Sequence, residues 1–202
     1  MIYMHVLRDR TSSEIKIVKK NFIELVELLK ESKVEFMIDA GLLLGIYRDG
    51  DLIRWDWDIE FSLLEKEFRS KTGTLLKNLQ KSGYNIHKFD KKNHKLEVYK
   101  DLPYKIFSYT FKGWSYDSKK KVFKRKNFVI PEKFFLEKTQ IGYLGHSFDC
   151  PGPIEEYLKF MYGDWSKPKR SDKLEKYLSK DYYKKDNLIF TFLKWVYYKL
   201  KN

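Results

Sequence analysis

The sequence predicts an α+β domain in which helices and strands are mixed along a single chain of 202 residues. Amphipathic helical segments are interspersed with short segments rich in aromatic and β-branched residues. They do not follow a regular βαβ alternation, which favours an α+β or irregular α/β arrangement. The composition is 43% hydrophobic and 17% aromatic, enough for a sizeable core. At roughly 150 residues per domain, we expect one domain over residues 1–202.

The first predicted helix begins at a capping box. Thr11 is placed to cap the helix, and Glu14 is placed to reach back to the cap. Apolar residues spaced by three and four continue the helix to about Lys33. The apolar, β-prone segment 34–38 then predicts a short buried strand.

A glycine turn connects that strand to the next elements. Gly41 permits a tight turn, and residues 42–47 predict a short helix. The turn signal at 49–51 is followed by a predicted strand over residues 54–63. The later predictions are a helix over 65–81, several short strands between 84 and 112, a basic loop or hairpin over 118–127, a strand or hairpin over 141–149, a helix over 153–161 and an apolar, aromatic helix over 187–199.

Acidic and bulky apolar residues alternate in the strand predicted over 54–63. Because side chains alternate across a strand, Asp56, Asp58 and Glu60 are expected on one face. The opposite face would anchor the strand in the core through Trp55, Trp57, Ile59 and Phe61. Neighbouring carboxylates raise one another's pKa unless a cation compensates them, and hard oxygen ligands favour Mg²⁺ or Mn²⁺. The pattern therefore predicts a divalent cation site, with a solvated acidic edge strand as the competing interpretation.

The segment before the acidic strand favours phosphate binding. Glycine at position 41 would let a phosphate approach backbone N–H groups at a helix N-terminus. Arg48 lies about one turn beyond Gly45 and is suited to bidentate pairing with a phosphate. Such a turn followed by an Asp-x-Asp strand is the layout of nucleotidyltransferase-fold sites, although without the acidic strand the glycines alone would favour simple helix packing.

The net charge of +13 would attract phosphates, nucleic acid or an anionic membrane. Motifs that read DNA or RNA are absent from the sequence, so no nucleic acid partner is expected. The basic stretch 118–127 and the helix predicted over 187–199 suggest peripheral contact with an anionic membrane, against the alternatives of a solvated loop and a packed helix. A lone cysteine, Cys150, and apolar runs too short for a membrane span favour a cytoplasmic location, peripheral at the inner face of the membrane.

Two separate blocks of the sequence resemble the LicD/fukutin-type phosphotransferase family. Residues 39–48 and 53–60 are similar to the family pattern Gly-x-Leu-Leu-Gly-x-x-Arg followed by Trp-Asp-x-Asp-x-Asp. Residues 128–131, 144–145, 151–158 and 162–168 resemble its C-terminal Tyr-Gly block. The resemblance covers roughly residues 34–168.

This resemblance implies a nucleotidyltransferase-like fold with a central mixed sheet flanked by helices. It also implies Mg²⁺- or Mn²⁺-dependent transfer of a phosphoalcohol, such as phosphocholine or ribitol phosphate. The donor would be a CDP-linked alcohol, and the acceptor a hydroxyl of a cell-surface glycan or lipid-linked saccharide. The candidate catalytic and metal-binding residues are Asp56, Asp58 and Glu60, and the candidate substrate-binding residues are Gly41, Gly45, Arg48 and Trp55.

The sequence departs from the family pattern at a later strand. Many members carry a further aspartate there, and residues 105–108 contain no carboxylate. Glu97, Asp101 and Asp117 are the candidate substitutes, and spacing does not choose between them. Two alternative functions therefore stay open: a nucleotidyltransferase that moves NMP, and a non-catalytic anion-binding module of the same fold.

Overall fold

A computed structural model describes residues 8–103, 107–171 and 173–184, and it confirms an α+β architecture built on a mixed sheet. The helices are α1 (Ser12–Glu31), α2 (Ala40–Asp49), α3 (Glu65–Lys81), α4 (Glu132–Leu136) and α5 (Ile154–Tyr162). The strands are β1 (Met37–Ile38), β2 (Asp58–Leu64), β3 (Asn85–Asp90), β4 (Lys95–Tyr99), β5 (Ser108–Asp117), β6 (Val122–Arg125), β7 (Phe128–Pro131), β8 (Thr139–Tyr143) and β9 (His146–Cys150). The helix predicted over 187–199 lies outside the described residues.

The strands of the main sheet follow the order β1-β2-β5-β4-β3. β2 and β5 are parallel, and the other neighbours in this order are antiparallel. β6 pairs with the end of β5, and β7 pairs with β6, whereas β8 and β9 form a separate hairpin. The parallel β2/β5 ladder therefore lies at the centre and positions the side chains discussed below.

The two faces of the β2/β5 ladder differ in polarity. One face is apolar, and there Phe61 of β2 stacks between Phe22 of α1 and Phe111 of β5, with ring centroids 5.9 and 5.1 Å apart. The register pairs Asp58 with Ser108, Glu60 with Thr110 and Ser62 with Lys112. Because alternate residues share a face, these six residues form the opposite, polar face.

Several predicted elements are confirmed. Thr11 caps α1, and its capping box with Glu14 is complete, with Thr11 N–H donating to Glu14 and Glu14 N–H donating to Thr11. α3 spans Glu65–Lys81 as predicted. The segments predicted over 141–149 and 153–161 form the β8/β9 hairpin and α5, and the basic stretch 118–127 forms the turn and strand of a β5/β6 hairpin.

The strand predicted over 54–63 is wrong at its start, because β2 begins only at Asp58. Residues 54–57 form a turn in which Asp56 N–H donates to the carbonyl of Ile53 at 3.1 Å. Arg10 holds this turn, since its backbone N–H donates to Arg54 O at 2.8 Å. Asp56 is therefore not on the strand, and of the predicted anchoring face only Ile59 and Phe61 are fully buried.

Within the ranges that the structure describes, no helix combines the length and the apolar character needed to cross a membrane.

Candidate active site

Asp56 lies against the first turn of α2. A Cβ placed on Gly41 would lie 1.8 Å from Asp56 Oδ2, so only glycine leaves room for the carboxylate. Asp39 caps this end of α2, where the helix dipole favours negative charge. Gly41, which the sequence suggested as a phosphate contact, thus also makes space for one of the predicted acids.

Asp58 is the first residue of β2, and its carboxyl group lies close enough to that of Asp56 for the two to interact electrostatically. Asp58 retains contact with solvent, yet surrounding protein displaces much of its water. Desolvation is the largest cause and the negative charge of Asp56 the next, and together they raise the pKa of Asp58 to about 7. Desolvation also raises the pKa of Asp56. Two carboxyl groups this close together concentrate negative charge, and each disfavours ionisation of the other.

Glu60 faces an ammonium group rather than open solvent. The Nζ of Lys112 donates to Glu60 Oε2 at 2.9 Å and lies 3.7 Å from Asp39 Oδ2. Lys112 is only 2% exposed. Desolvation raises the pKa of Glu60, and the positive charge of Lys112 opposes that rise. Lys112 was not among the residues predicted from the sequence, although polar residues alternate with aromatic ones from Ser108 to Lys112, which is the signal of a polar strand face.

Asp39 joins four elements beneath the site. It is fully buried and accepts hydrogen bonds from Ser62 Oγ and from the hydroxyl of Tyr157, both at 2.6 Å. Trp114 Nε1–H donates in turn to Ser62 Oγ at 2.9 Å. These contacts connect the start of α2 to β2, β5 and α5, so the floor of the site is held by side chains far apart in sequence.

Arg10 is a second buried cation near the acids. It is 2% exposed, and its Nη2 donates to the carbonyl of Ile53. Its Nε and Nη1 have no hydrogen-bond partner among the described residues. Burial lowers the pKa of Arg10, and the charges of Asp56 and Asp58 oppose this shift. Arg10 therefore holds the turn that carries Asp56 and adds positive potential near the acidic pair.

Tyrosines from the C-terminal part of the described chain lie near the acids. Burial raises the pKa of Tyr177, and the charges of Asp58, Asp56 and Glu60 raise it further. Tyr162, at the end of α5, also has a raised pKa through burial, Tyr182 and Glu60. The fold thus brings these two tyrosines, which are far from the acids in sequence, within electrostatic range of them.

Three of the predicted substrate-binding residues have other contacts. The guanidinium of Arg48 donates to both carboxylate oxygens of Asp49, at 2.8 and 2.7 Å. Gly45 is buried, and a Cβ there would lie 2.6 Å from the carbonyl oxygen of Asp51, which gives it a packing role. Trp55 is half-buried, with the guanidinium of Arg170 5.7 Å from its ring.

The neighbouring strand β5 carries hydroxyl residues opposite two of the acids. Ser108 lies opposite Asp58, and Thr110 lies opposite Glu60. Of the three candidate substitutes, only Glu97 shares this sheet face, since β4 pairs it with Thr110. Asp101 follows β4, and Asp117 ends β5, where it binds Lys124 at 2.9 Å.

The three acids of the predicted metal site differ in their contacts. Among residues 8–103, 107–171 and 173–184, no three His, Cys, Asp or Glu side chains are arranged to hold a metal ion. The reason is that Glu60 is paired with Lys112, whereas Asp56 and Asp58 contact each other. Two adjacent carboxylates still fit Mg²⁺, which proteins often hold through one or two carboxylates together with substrate phosphates and water.

A mixed sheet with an acidic pair at the start of a central strand, beside a helix that begins at a glycine turn, defines a transferase domain of the nucleotidyltransferase type. Residues 33–152 match the family described as LicD/FKTN/FKRP, nucleotidyltransferase domain. The chain therefore belongs to the LicD family, as its two sequence blocks predicted.

One solved structure supports the same fold, and a second is similar at a lower level. The crystal structure of the lincosamide antibiotic adenylyltransferase LnuA with lincomycin bound has a TM-score of 0.50 and 15% identity, over 76% of this chain and 87% of that one. A structure of ANT(2")-Ia in complex with adenylyl-2"-tobramycin has a TM-score of 0.45 and 10% identity, over 66% of this chain and 68% of that one. No curated protein sequence matched the chain. At such low identity the first structure indicates the fold alone.

Proposed function

We propose that the protein transfers a phosphoalcohol, such as phosphocholine or ribitol phosphate, from a CDP-linked donor to a hydroxyl of a cell-surface glycan or lipid-linked saccharide. The observation that carries the proposal is the Asp56–Asp58 pair, held beside Gly41 in a chain of the LicD family. The excess negative charge of this pair suits a cation that bridges to a diphosphate.

In this proposal Asp56 and Asp58 hold one Mg²⁺ or Mn²⁺ ion, which when bound supplies charge neutralisation at the donor phosphates. The N-terminus of α2 lies next to Asp56, and its backbone N–H groups and dipole favour the negative charge of phosphate oxygens. Tyr162 and Tyr177 help to exclude water from the reacting groups.

Glu60 is the candidate acceptor of the proton from the attacking hydroxyl. Lys112 binds its Oε2, which orients the carboxylate and leaves Oε1 for a substrate proton. The pKa of Glu60 is raised by desolvation, which brings it closer to the operating pH, as general-base catalysis requires. The half-buried Ser108 lies opposite Asp58 on β5, and its hydroxyl is the group of this strand that is placed to bind an acceptor or phosphate oxygen.

The direct test is Mg²⁺-dependent release of CMP from CDP-choline, CDP-ribitol and CDP-glycerol in the presence of a glycan acceptor. The Asp58→Asn variant should lose transfer and keep its circular dichroism spectrum. Wild-type turnover by this variant would remove Asp58 from the mechanism.

NMP transfer is the second candidate, since the same acidic pair would serve the phosphates of a nucleoside triphosphate. Pyrophosphate release, in place of CMP release, would identify that reaction. The third candidate, a non-catalytic anion-binding module, is favoured by the absence of a carboxylate on this face of β5. Anion binding without nucleotide turnover under any of these conditions would support it.

The proposal includes peripheral binding to the cytoplasmic face of an anionic membrane. Lys119, Lys120 and Lys121 are exposed at the tip of the β5/β6 hairpin. The fraction of protein that sediments with phosphatidylglycerol vesicles should fall in a Lys119→Glu, Lys120→Glu variant. The fraction that sediments with phosphatidylcholine vesicles should be the same for this variant and the wild type. Deletion of residues 187–202 tests the second predicted contact, and equal sedimentation of all forms would defeat the membrane proposal.

A further inference from the structure

β5 delivers a lysine, and no carboxylate, to the polar face that it shares with the acidic strand. From its start, that face of β5 carries Ser108, Thr110 and Lys112, and the register sets Lys112 beside Ser62. Since Ser62 follows Glu60 on the same face of β2, the ammonium group reaches Glu60 diagonally across the ladder. The strand next to the acids therefore contributes a fixed positive charge.

The ammonium group of Lys112 is bound between two carboxylates. Its Nζ is 2.9 Å from Glu60 Oε2 and 3.7 Å from Asp39 Oδ2, and its side chain is 2% exposed. A buried ammonium group is stable only when it is paired and hydrogen-bonded, and this position satisfies that condition. Glu60 and Asp39 thus already share a cation that belongs to the protein.

The other two acids have no such partner. Within the described residues neither Asp56 nor Asp58 forms a salt bridge with a lysine, arginine or histidine. The positive charge of Arg10 acts on both aspartates, but its Nη2 donates a hydrogen bond to the carbonyl of Ile53. Direct ion pairing is therefore divided. Lys112 binds Glu60 and Asp39, whereas its charge and that of Lys95 act on Asp58 without a salt bridge, which leaves Asp56 and Asp58 for an added cation.

From this division we infer that Lys112 takes the place of a second cation, so that the site binds a single divalent ion on Asp56 and Asp58 and Glu60 stays outside its coordination shell. The inference rests on the metal dependence in the proposed function and deepens it. Lys112 acts as a positioning residue, because it holds Glu60 beside the ion without contacting the ion itself.

The experiment is equilibrium dialysis of the metal-free full-length chain against Mn²⁺ alone. We expect one Mn²⁺ per chain in the wild type and in Lys112→Arg. We expect two per chain in Lys112→Met, because Glu60 and Asp39 lose their shared cation there. Two ions in the wild type, or one in Lys112→Met, would overturn the inference.

A double variant covers the case in which Lys112→Met fails to fold. Lys112→Met combined with Glu60→Gln removes both partners of the ion pair, and we expect it to bind one Mn²⁺ with an affinity within about threefold of the wild type. A tenfold loss of affinity would place Glu60 in the coordination shell and contradict the inference. Wild-type protein that binds no Mn²⁺ would refute the metal dependence in the proposed function together with the inference, whereas two ions would refute the inference alone.

Discussion

The carboxylate of Asp56 occupies the space that any side chain at Gly41 would need, since a Cβ there would lie 1.8 Å from Asp56 Oδ2. The glycine of the first family block and the aspartate of its acidic segment are therefore in direct van der Waals contact. This contact makes the position of one acid depend on the absence of a side chain 15 positions earlier in the chain.

Gly41→Ala should displace the Asp56 carboxylate. Because the clashing atom is the end of a short side chain, we expect weaker Mn²⁺ binding and loss of transfer, with the chain still folded. The measurements are Mn²⁺ dialysis, CMP release and thermal melting. Gly73→Ala is the matched control, since Gly73 lies in α3 with open space around it, and alanine there should raise stability by about 0.5–1 kcal/mol. Equal Mn²⁺ affinity in Gly41→Ala and wild type would contradict the assignment of Asp56.

Asp58→Asn should make the metal-free protein more stable at alkaline pH. The folded-state pKa of Asp58 is raised to about 7, above the usual 3.8, so the folded state binds more protons than the unfolded state between these values. The contribution of Asp58 to the free energy of unfolding therefore falls as the pH rises from about 4 to 7. Above pH 7 the full destabilisation by its ionised carboxylate is present. In EDTA, the melting temperature of the variant should exceed that of the wild type at pH 8, and the difference should vanish near pH 4. A difference in melting temperature that stays constant across this pH range would refute the raised pKa of Asp58.

Gly45→Ala should destabilise the fold. The added Cβ would lie 2.6 Å from the carbonyl oxygen of Asp51 and 2.9 Å from the backbone N of Ile53, and backbone atoms cannot move aside cheaply. We expect a loss of about 1–3 kcal/mol in urea unfolding, the usual range for overpacking. Gly142→Ala, where a Cβ meets nothing within 4 Å, should change the midpoint little. A similar small effect at Gly45 would show that α2 is packed less closely on residues 51–53.

Thr11→Ala should weaken the start of α1. Thr11 Oγ1 accepts from Glu14 N–H at 3.2 Å, and its loss leaves a helix N–H group without its cap. We expect a loss of about 1 kcal/mol in urea unfolding. Ser12→Ala, at the first exposed helical residue, is the control and should lie near the wild type. Equal midpoints for the two variants would mean that the capping box contributes nothing measurable to stability.

Local patterns were sufficient to predict most elements. The capping box of Thr11 and Glu14, the helix Glu65–Lys81 and the β8/β9 hairpin all formed as predicted, since their signals act over a few neighbouring residues. The predicted start of β2 failed because a period-two pattern continues into residues 54–57, where contacts from Arg10 hold the chain in a turn.

The site was only partly predictable for the same reason. The sequence pointed to Asp56 and Asp58, whose closeness follows from their spacing. It did not show that Glu60 is bound by Lys112, that Arg48 is engaged by Asp49, or that Tyr177 lies near the acids. The first and third of these facts depend on an element from elsewhere in the chain, and composition alone does not rank the many available lysines and tyrosines; the second depends on the side-chain conformation of Arg48 beside its neighbour Asp49.

What the sequence determined by itself is the family, the helical and strand segments, and an acidic segment preceded by a glycine turn. Only the tertiary structure decided how that acidic segment is divided, with Asp56 and Asp58 facing each other and Glu60 facing Lys112. The physical reason is the parallel pairing of β2 with β5, which brings together side chains 52 positions apart in the chain. No local propensity encodes that register, because it is set by the burial of the apolar face of the sheet beneath α1 and α3.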